Sequence, residues 1–575
     1  MRLFHVAALI NKQLLNKATC LIQEFNMNTL KRIRFIIAMF MSISICANGQ
    51  DSAELNEQAK ATHNVIAKTQ LWLVKGGSLL DTKMPVNKFF GIPYAQAPIA
   101  NLRWQGPKSS TQWRDVLDAT QYAPDCMQTT FPGDSAPLKG SLSEDCLYLN
   151  IWAPAQDITQ KRPVMVWIHG GGFVNGGSSA AIYSGQSFAE SGVVFVSFNY
   201  RLGRFGFFAH PGLSEQSKNT PLGNYGLMDQ IEALKWVKNN ITHFGGDADN
   251  VTLFGESAGG RSVNFHMLSP QSKGLFHKAI VQSGGGRSDS TETVVYLNKK
   301  GTKGNPSAED AGIQFARSVG INTNDIKALA KLRALPAEKV LSGLNMMNAN
   351  TPTYSGPMID SSIVLTSDEE GFAQALQTKV PLFIGSTDFE WGFLKDYNPK
   401  GAIAIATETL ESVNNKAQFT KAYAPFVLAK NGELNYPLLG SMIFGDKRFV
   451  EPARYIASKA SMSEQPTWLY RFNYVPSHLK GKVDGAYHAT EIPFVFNTLA
   501  QNPLTSQNDF KIASAMHAAW VRFAKYSNPS PKQGIAWPNY NAKDNRIIEF
   551  NENGSEVKQD PLENRLNEIT NLISQ

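Results

Sequence analysis

Ser257 lies in the run Val251-Thr252-Leu253-Phe254-Gly255-Glu256-Ser257-Ala258-Gly259-Gly260, where a β-prone apolar segment enters Gly-x-Ser-x-Gly and continues into a helix-prone one. A strand that turns this sharply into a helix leaves the serine strained and exposed, as a nucleophile elbow requires. The turn has room only for glycine two residues either side, at Gly255 and Gly259. The helix N-terminus favours the negative charge that develops during attack. A second feature is His169-Gly170-Gly171-Gly172-Phe173, which follows the apolar run Pro163 to Ile168. Consecutive glycines let backbone N–H groups approach a substrate oxygen with no Cβ in the way. With the N–H of Ala258, those of Gly171 and Gly172 would form an oxyanion hole, each donor being worth about 3 to 4 kcal/mol in the transition state. Phe173 is placed beside that hole as a candidate substrate contact. Glu256, next to the nucleophile, either tunes the field of the site or is a structural hydrogen-bonding group. The chemistry these groups suit is acyl transfer, which needs neither metal nor organic cofactor.

These residues need a scaffold. Short β-rich runs such as Val164 to Ile168, Val193 to Asn199 and Val251 to Phe254 alternate with helical stretches such as Leu227 to Asn239 and Ala258 to Met267. Such alternation predicts an α/β sheet with helices on its faces. No tandem repeat or low-complexity tract interrupts Leu71 to Ile548, so one large unit is expected rather than several small ones. The polar stretch Gly286 to Asp310 is read as a surface excursion and a subdomain boundary, beyond which the chain is more helical.

The 575 residues carry a formal charge of +7. Residues 1–49 hold Arg2, Lys12, Lys17, Lys31, Arg32 and Arg34 against Glu24 alone, a net +5 that leaves +2 for the remainder. The basicity therefore gives no reason to expect a nucleic-acid partner. Lys31, Arg32 and Arg34 precede the apolar run Phe35 to Cys46, and Ala47-Asn48-Gly49 supplies small residues before Gln50. This is the layout of a secretory signal peptide, with Met27 as the expected start and no stable membrane span in the mature chain. The expected mature protein is one domain, 50–575, secreted or periplasmic. Removal of residues 1–49 takes Cys20 and Cys46 away. Cys126 and Cys146 remain, and an oxidising compartment predicts that they pair. The four cysteines lack metal-site spacing.

The chain resembles the type-B carboxylesterase/lipase family. The likeness runs through Phe90-Gly91-Ile92-Pro93-Tyr94-Ala95, Leu102-Arg103-Trp104, Ser143-Glu144-Asp145-Cys146-Leu147-Tyr148-Leu149-Asn150 and Asn199-Tyr200-Arg201-Leu202-Gly203. It continues from Gly223-Asn224-Tyr225-Gly226 to Phe244-Gly245-Gly246-Asp247, and through Gln282-Ser283-Gly284 to Trp520 and Trp537-Pro538. The resemblance implies an α/β-hydrolase fold with a large, mostly parallel central sheet, long insertions, and a triad in the chain order serine, acid, histidine. The loop Gly485-Ala486-Tyr487-His488-Ala489-Thr490-Glu491-Ile492-Pro493-Phe494 resembles the family's histidine loop and nominates His488 as general base. Ile384-Gly385-Ser386-Thr387-Asp388-Phe389-Glu390-Trp391 aligns with the acid segment and places the carboxylate at Glu390. Phe389 and Trp391 depart from the family's usual neighbours there, and Asp388 is the alternative acid. Cys126 to Cys146 resembles the family's first disulfide loop. In cholinesterases that loop carries a tryptophan that stacks on choline, and here it carries none, which argues against choline esters.

The implied partner is a small-molecule ester, hydrolysed through an acyl-enzyme. Two other readings share features of the chain. One is a non-catalytic, neuroligin-like adhesion protein on the same fold, which the presence of Ser257, the glycine run and His488 argues against. The other is a peptidase of the prolyl oligopeptidase type, which would not explain His169 to Phe173 or the histidine loop. Sequons at Asn240, Asn250 and Asn553 bear on function only in a glycosylating host. N-terminal sequencing of the exported protein should find Gln50 first, and a mature chain that retains Met1 would overturn the signal assignment.

Overall fold

The computed structural model describes residues 61–574, apart from 132–133, 135, 157, 218–221, 288–294, 302–303, 323–326, 430 and 535. The expected export segment 1–49, with Cys20, Met27 and Cys46, and the expected cleavage point at Gln50 lie outside the described residues.

Fifteen strands form among them. The first eight are β1 (Ala61–Lys68), β2 (Leu73–Leu79), β3 (Val86–Pro93), β4 (Leu117–Asp118), β5 (Asp125–Cys126), β6 (Leu142–Ser143), β7 (Tyr148–Pro154) and β8 (Arg162–Ile168). The others are β9 (Val194–Phe198), β10 (Gly246–Glu256), β11 (Lys278–Gln282), β12 (Leu382–Thr387), β13 (Thr467–Phe472), β14 (Arg546–Asn551) and β15 (Gly554–Gln559). One sheet runs β1-β2-β3-β7-β9-β8-β10-β11-β12-β13-β14-β15, with β4 beside β2. Every pairing from β9 to β14 is parallel. Antiparallel strands finish both edges. The expected large, mostly parallel α/β sheet is what the chain forms, with antiparallel edges that make it mixed.

The central strands read as nearly unbroken apolar runs because helices cover both of their faces. Side chains still alternate between faces. Val164, Val166 and Ile168 of β8 enter one core with Val194, Val196, Val251 and Leu253. Met165 and Trp167 enter the opposite core with Phe195 and Phe254. Helices Tyr225–Asn240, Ala258–Leu268 and Glu451–Met462 pack on the first face, and Gln507–Tyr526 on the second.

The polar stretch after Gly286 does not divide the fold. Beyond it the chain returns to the same sheet as β12 to β15, so the expected excursion lies between β11 and β12 and the subdomain boundary expected there is absent. Helices Pro399–Ser412, Lys416–Val427 and Tyr436–Gly445 form a smaller core of their own around Leu410, Phe419, Tyr423 and Leu439. Residues 60–499 and 504–575 make one compact unit. Residues 500–503 fall outside this unit. Among the described residues no helix is long and apolar enough to cross a membrane.

A disulfide joins Cys126 to Cys146, 20 residues apart, beside the two-stranded pairing of β5 with β6. Closing a loop of that length limits the unfolded chain and stabilises the fold by about 3 kcal/mol. The double variant Cys126→Ser/Cys146→Ser should lose about that much in a urea unfolding series, and an unchanged midpoint would show that the bond does not stabilise the fold.

Candidate active site

The groups singled out in the sequence converge at the carboxyl ends of the parallel strands, where open α/β sheets hold their ligands. The glycine loop leaves β8, Ser257 leaves β10, Ser283 leaves β11 and Glu390 follows β12. The His488 loop follows β13, whose last residue, Phe472, accepts a hydrogen bond from Asp388 N at 3.0 Å.

Ser257 has φ +56° and ψ −122°, outside the regions that residues with a side chain ordinarily occupy. Backbone packing explains why this turn forms. A Cβ on Gly255 would lie 2.5 Å from the Gly259 carbonyl carbon and 2.7 Å from Ile168 O, and one on Gly259 would overlap Ile168 O outright. The Ser257 N–H donates to Gln282 O at 2.9 Å, and Ser257 O accepts from Arg261 N at 2.8 Å, starting the helix. Phe173, Ser283 and Ala489, in loops around Ser257 and His488, also have positive φ.

The glycine loop folds over the elbow. A Cβ on Gly170 would sit 2.8 Å from Glu256 Oε2 and 3.1 Å from Ser257 Cβ. Gly171 O accepts from the N–H groups of Val174 and Asn175, closing the turn. Among the described residues no backbone acceptor takes the N–H of Gly171, Gly172 or Ala258. The Phe173 ring packs on Phe207, 5.2 Å between centroids, and belongs to the first-face core.

His488 Nδ1 lies 2.6 Å from Glu390 Oε2, and the His488 N–H donates to Glu390 O at 2.9 Å. Glu390 is buried, and its other oxygen accepts from Ser283 Oγ at 2.6 Å and Thr387 N at 2.8 Å. With a carboxylate at Nδ1, that nitrogen carries a proton, and Nε2 presents a lone pair when the ring is neutral. Nε2 makes no hydrogen bond and lies 3.2 Å from Glu256 Oε1. The Ser257 side chain makes no capping hydrogen bond to the helix that it begins. Asp388 is directed elsewhere. Its carboxylate accepts from Ala486 N at 2.9 Å, pinning the base of the histidine loop, and burial pushes its pKa up to about 6.

Glu491, three residues past His488, is buried as well and accepts from Gln282 Nε2 at 3.1 Å. The amide oxygen of Gln282 is in turn held by Trp520 Nε1 at 3.0 Å. Glu256, Glu390 and Glu491 thus share one dry region with a single imidazole. Burial raises the pKa of Glu256 and of Glu491, and neighbouring carboxylates add to both shifts. Burial acts against the charged form of His488, but Glu256 and then Glu390 outweigh it, and the imidazole holds its proton above the ordinary 6.5. Ser283 and Glu491 were both within quoted family segments, but their sequence neighbourhoods gave them no role, because the groups they meet are far away along the chain. Among the described residues no group of three or more His, Cys, Asp or Glu side chains could hold a metal ion.

This fold and this site define a family. The model of the carboxylesterase family matches residues 64–569, and the chain belongs to that family. Fumonisin B1 esterase of Sphingopyxis macrogoltabida is 32% identical over 84% of this chain and 86% of its own. Para-nitrobenzyl esterase of Bacillus subtilis (strain 168) is 35% identical over 87% of this chain and 98% of its own. A solved structure of PNB esterase superposes with a TM-score of 0.71 at 32% identity, covering 88% of this chain and all of that one. The protein is a carboxylic ester hydrolase with an α/β-hydrolase fold.

The raised His488 pKa has a cause that can be removed. Glu256→Gln should lower the His488 midpoint by about one unit, the low end of the shift an adjacent carboxylate produces, as read from the imidazole resonances by NMR titration. A midpoint that stayed put or rose would show that Glu256 does not hold the imidazolium.

Proposed function

We propose that the enzyme hydrolyses small carboxylic esters through an acyl-enzyme on Ser257, with His488 as general base and Glu390 as the acid that orients it. The observation that carries this reading is the short contact between His488 Nδ1 and Glu390 Oε2, which fixes the tautomer whose Nε2 can act as the base.

A neutral serine is a poor nucleophile at pH 7, so His488 Nε2 takes the hydroxyl proton as Ser257 Oγ attacks the ester carbonyl. The carbonyl oxygen, now negative, is held by the N–H groups of Gly171, Gly172 and Ala258. Glu390 keeps the imidazole in the correct tautomer and stabilises its cation. The imidazolium then gives its proton to the departing alcohol. Water, deprotonated by the same nitrogen, attacks the acyl-enzyme, releases the acid and restores Ser257. Asp388 supports the loop from behind rather than replacing Glu390, because its carboxylate is committed to the Ala486 N–H.

We propose further that this chemistry takes place outside the cytoplasm, in a mature chain that begins at Gln50 and forms one domain. Two features support it: the basic and apolar layout of residues 31–49, and the bond between Cys126 and Cys146, since disulfides persist in oxidising compartments. The non-catalytic alternative is disfavoured by the open Nε2 and the free N–H groups of the glycine loop, which an adhesion surface does not need.

Ser257→Ala should fold normally by circular dichroism and lose about 10⁴-fold or more in kcat toward short-chain esters. The wild-type enzyme should take up one equivalent of an organophosphate on Ser257, detected by peptide mass spectrometry. Substantial hydrolysis by the variant, or an unlabelled Ser257, would remove the serine from this role.

A further inference from the structure

Arg471 is the one charged residue of β13, and the mechanism above leaves it without a task. Its neighbours Tyr470 and Phe472 enter the core on the second face of the sheet, so side-chain alternation sends Arg471 to the first face. There it lines a pocket of about 320 Å³ together with Arg565 of the helix Glu563–Ile573. The two arginines are 1% and 2% exposed and form the floor. Phe426 and Asp484 are exposed, so the pocket opens to solvent on their side. Much of the remaining wall is apolar, with Phe389, Leu438, Met442 and Leu562.

The fold satisfies these two guanidinium groups only in part. Arg471 Nη2 donates to Asp560 Oδ2 at 3.3 Å, and Arg565 Nη2 donates to Asp446 Oδ1 at 2.9 Å and to Asp388 O at 3.0 Å. Arg471 Nε, Arg471 Nη1 and Arg565 Nε are buried and make no hydrogen bond among the described residues. A buried donor without an acceptor is costly, and more so on a cation. The carboxylates on the wall are engaged elsewhere. Asp388 accepts from Ala486 N at 2.9 Å, Asp484 lies 3.2 Å from Lys395 Nζ, and Glu549 lies 2.9 Å from Lys558 Nζ. What the floor offers is therefore hydrogen-bond donors with positive charge.

Guanidinium groups hold carboxylates through charge-assisted hydrogen bonds, and the apolar wall suits a nonpolar body attached to such a group. Asp388, Asp484 and Glu549 would repel a second negative charge. We infer that this pocket is a binding site separate from the ester site, and that it takes a small monocarboxylic acid with an apolar body. The carboxylate meets Arg471 and Arg565, and the body lies against Leu438 and Met442. Ester hydrolysis releases acids of this class, so the reaction itself supplies the ligand. The site also lies behind the loops that carry the chemistry: Asp388 and Phe389 immediately precede Glu390, and Asp484 stands shortly before His488.

Calorimetric titration of the purified enzyme with sodium hexanoate tests the site, and saturable binding is expected. Hexanamide, which keeps the body and loses the charge, should bind about tenfold more weakly. Leu438→Trp, which fills the apolar side from a half-buried position, should weaken hexanoate by about tenfold or more. In unsubstituted enzyme isotope-labelled at its methionine methyl groups, the Met442 resonance, assigned through Met442→Leu, should move along the same binding curve. That measurement tests the site even where Leu438→Trp fails to fold. Absence of saturable binding, or equal affinity for hexanoate and hexanamide, would overturn the inference. So would hexanoate binding that Leu438→Trp leaves untouched, or a Met442 resonance that stays still as hexanoate binds, since either result places the acid elsewhere, the ester site included.

Discussion

The close approach of the Gly259 backbone to the carbonyl of Ile168 is the contact on which the site depends. It brings the first turn of the helix Ala258–Leu268 against the end of β8, where the glycine loop begins. The same crowding forces Ser257 into its left-handed conformation. Packing on both faces of the sheet holds this strain in place, because a central strand buried on both sides cannot relax without disrupting two cores.

Electrostatics forms a second layer on that geometry. Three buried carboxylates face one imidazole, and they are not equivalent. Glu390 is hydrogen-bonded at both oxygens, through Ser283, Thr387 and His488. Glu256 has an oxygen with no hydrogen bond, as does Glu491, and for both burial favours the protonated form. The direction of the His488 shift follows from this arrangement rather than from the ring's own environment, which by burial alone would discharge it. Strand ends that place reactive groups together also place together the charges that tune them.

The aromatic contacts of His488 come from elements that lie far from the nucleophile in the chain. The helical excursions after β12 contribute Phe444 and Phe449, and the acid loop contributes Trp391. The disulfide loop, whose tryptophan serves choline recognition in cholinesterases, has none here. Trp391 and Phe449, from the segments after β12, contact the imidazole.

The sequence by itself determined whatever depends on neighbours within a few residues. Glycine spacing dictated the elbow and the glycine turn, apolar runs marked β8, β9 and β10, and motif order along nearly the whole chain indicated the fold. It misread the polar stretch after Gly286 as a boundary, because local polarity cannot reveal that β12 to β15 return to the same sheet through parallel pairings. Only the tertiary structure decided which carboxylate meets His488. Asp388 and Glu390 are two residues apart and equally acidic, but the turn after β12 directs one to the Ala486 N–H and the other to the imidazole, each partner 98 residues away. The contacts of Ser283, Glu491, Trp391 and Phe449 were hidden for the same reason. Their effect on His488 is a matter of distance in space, and a linear sequence records only distance along the chain.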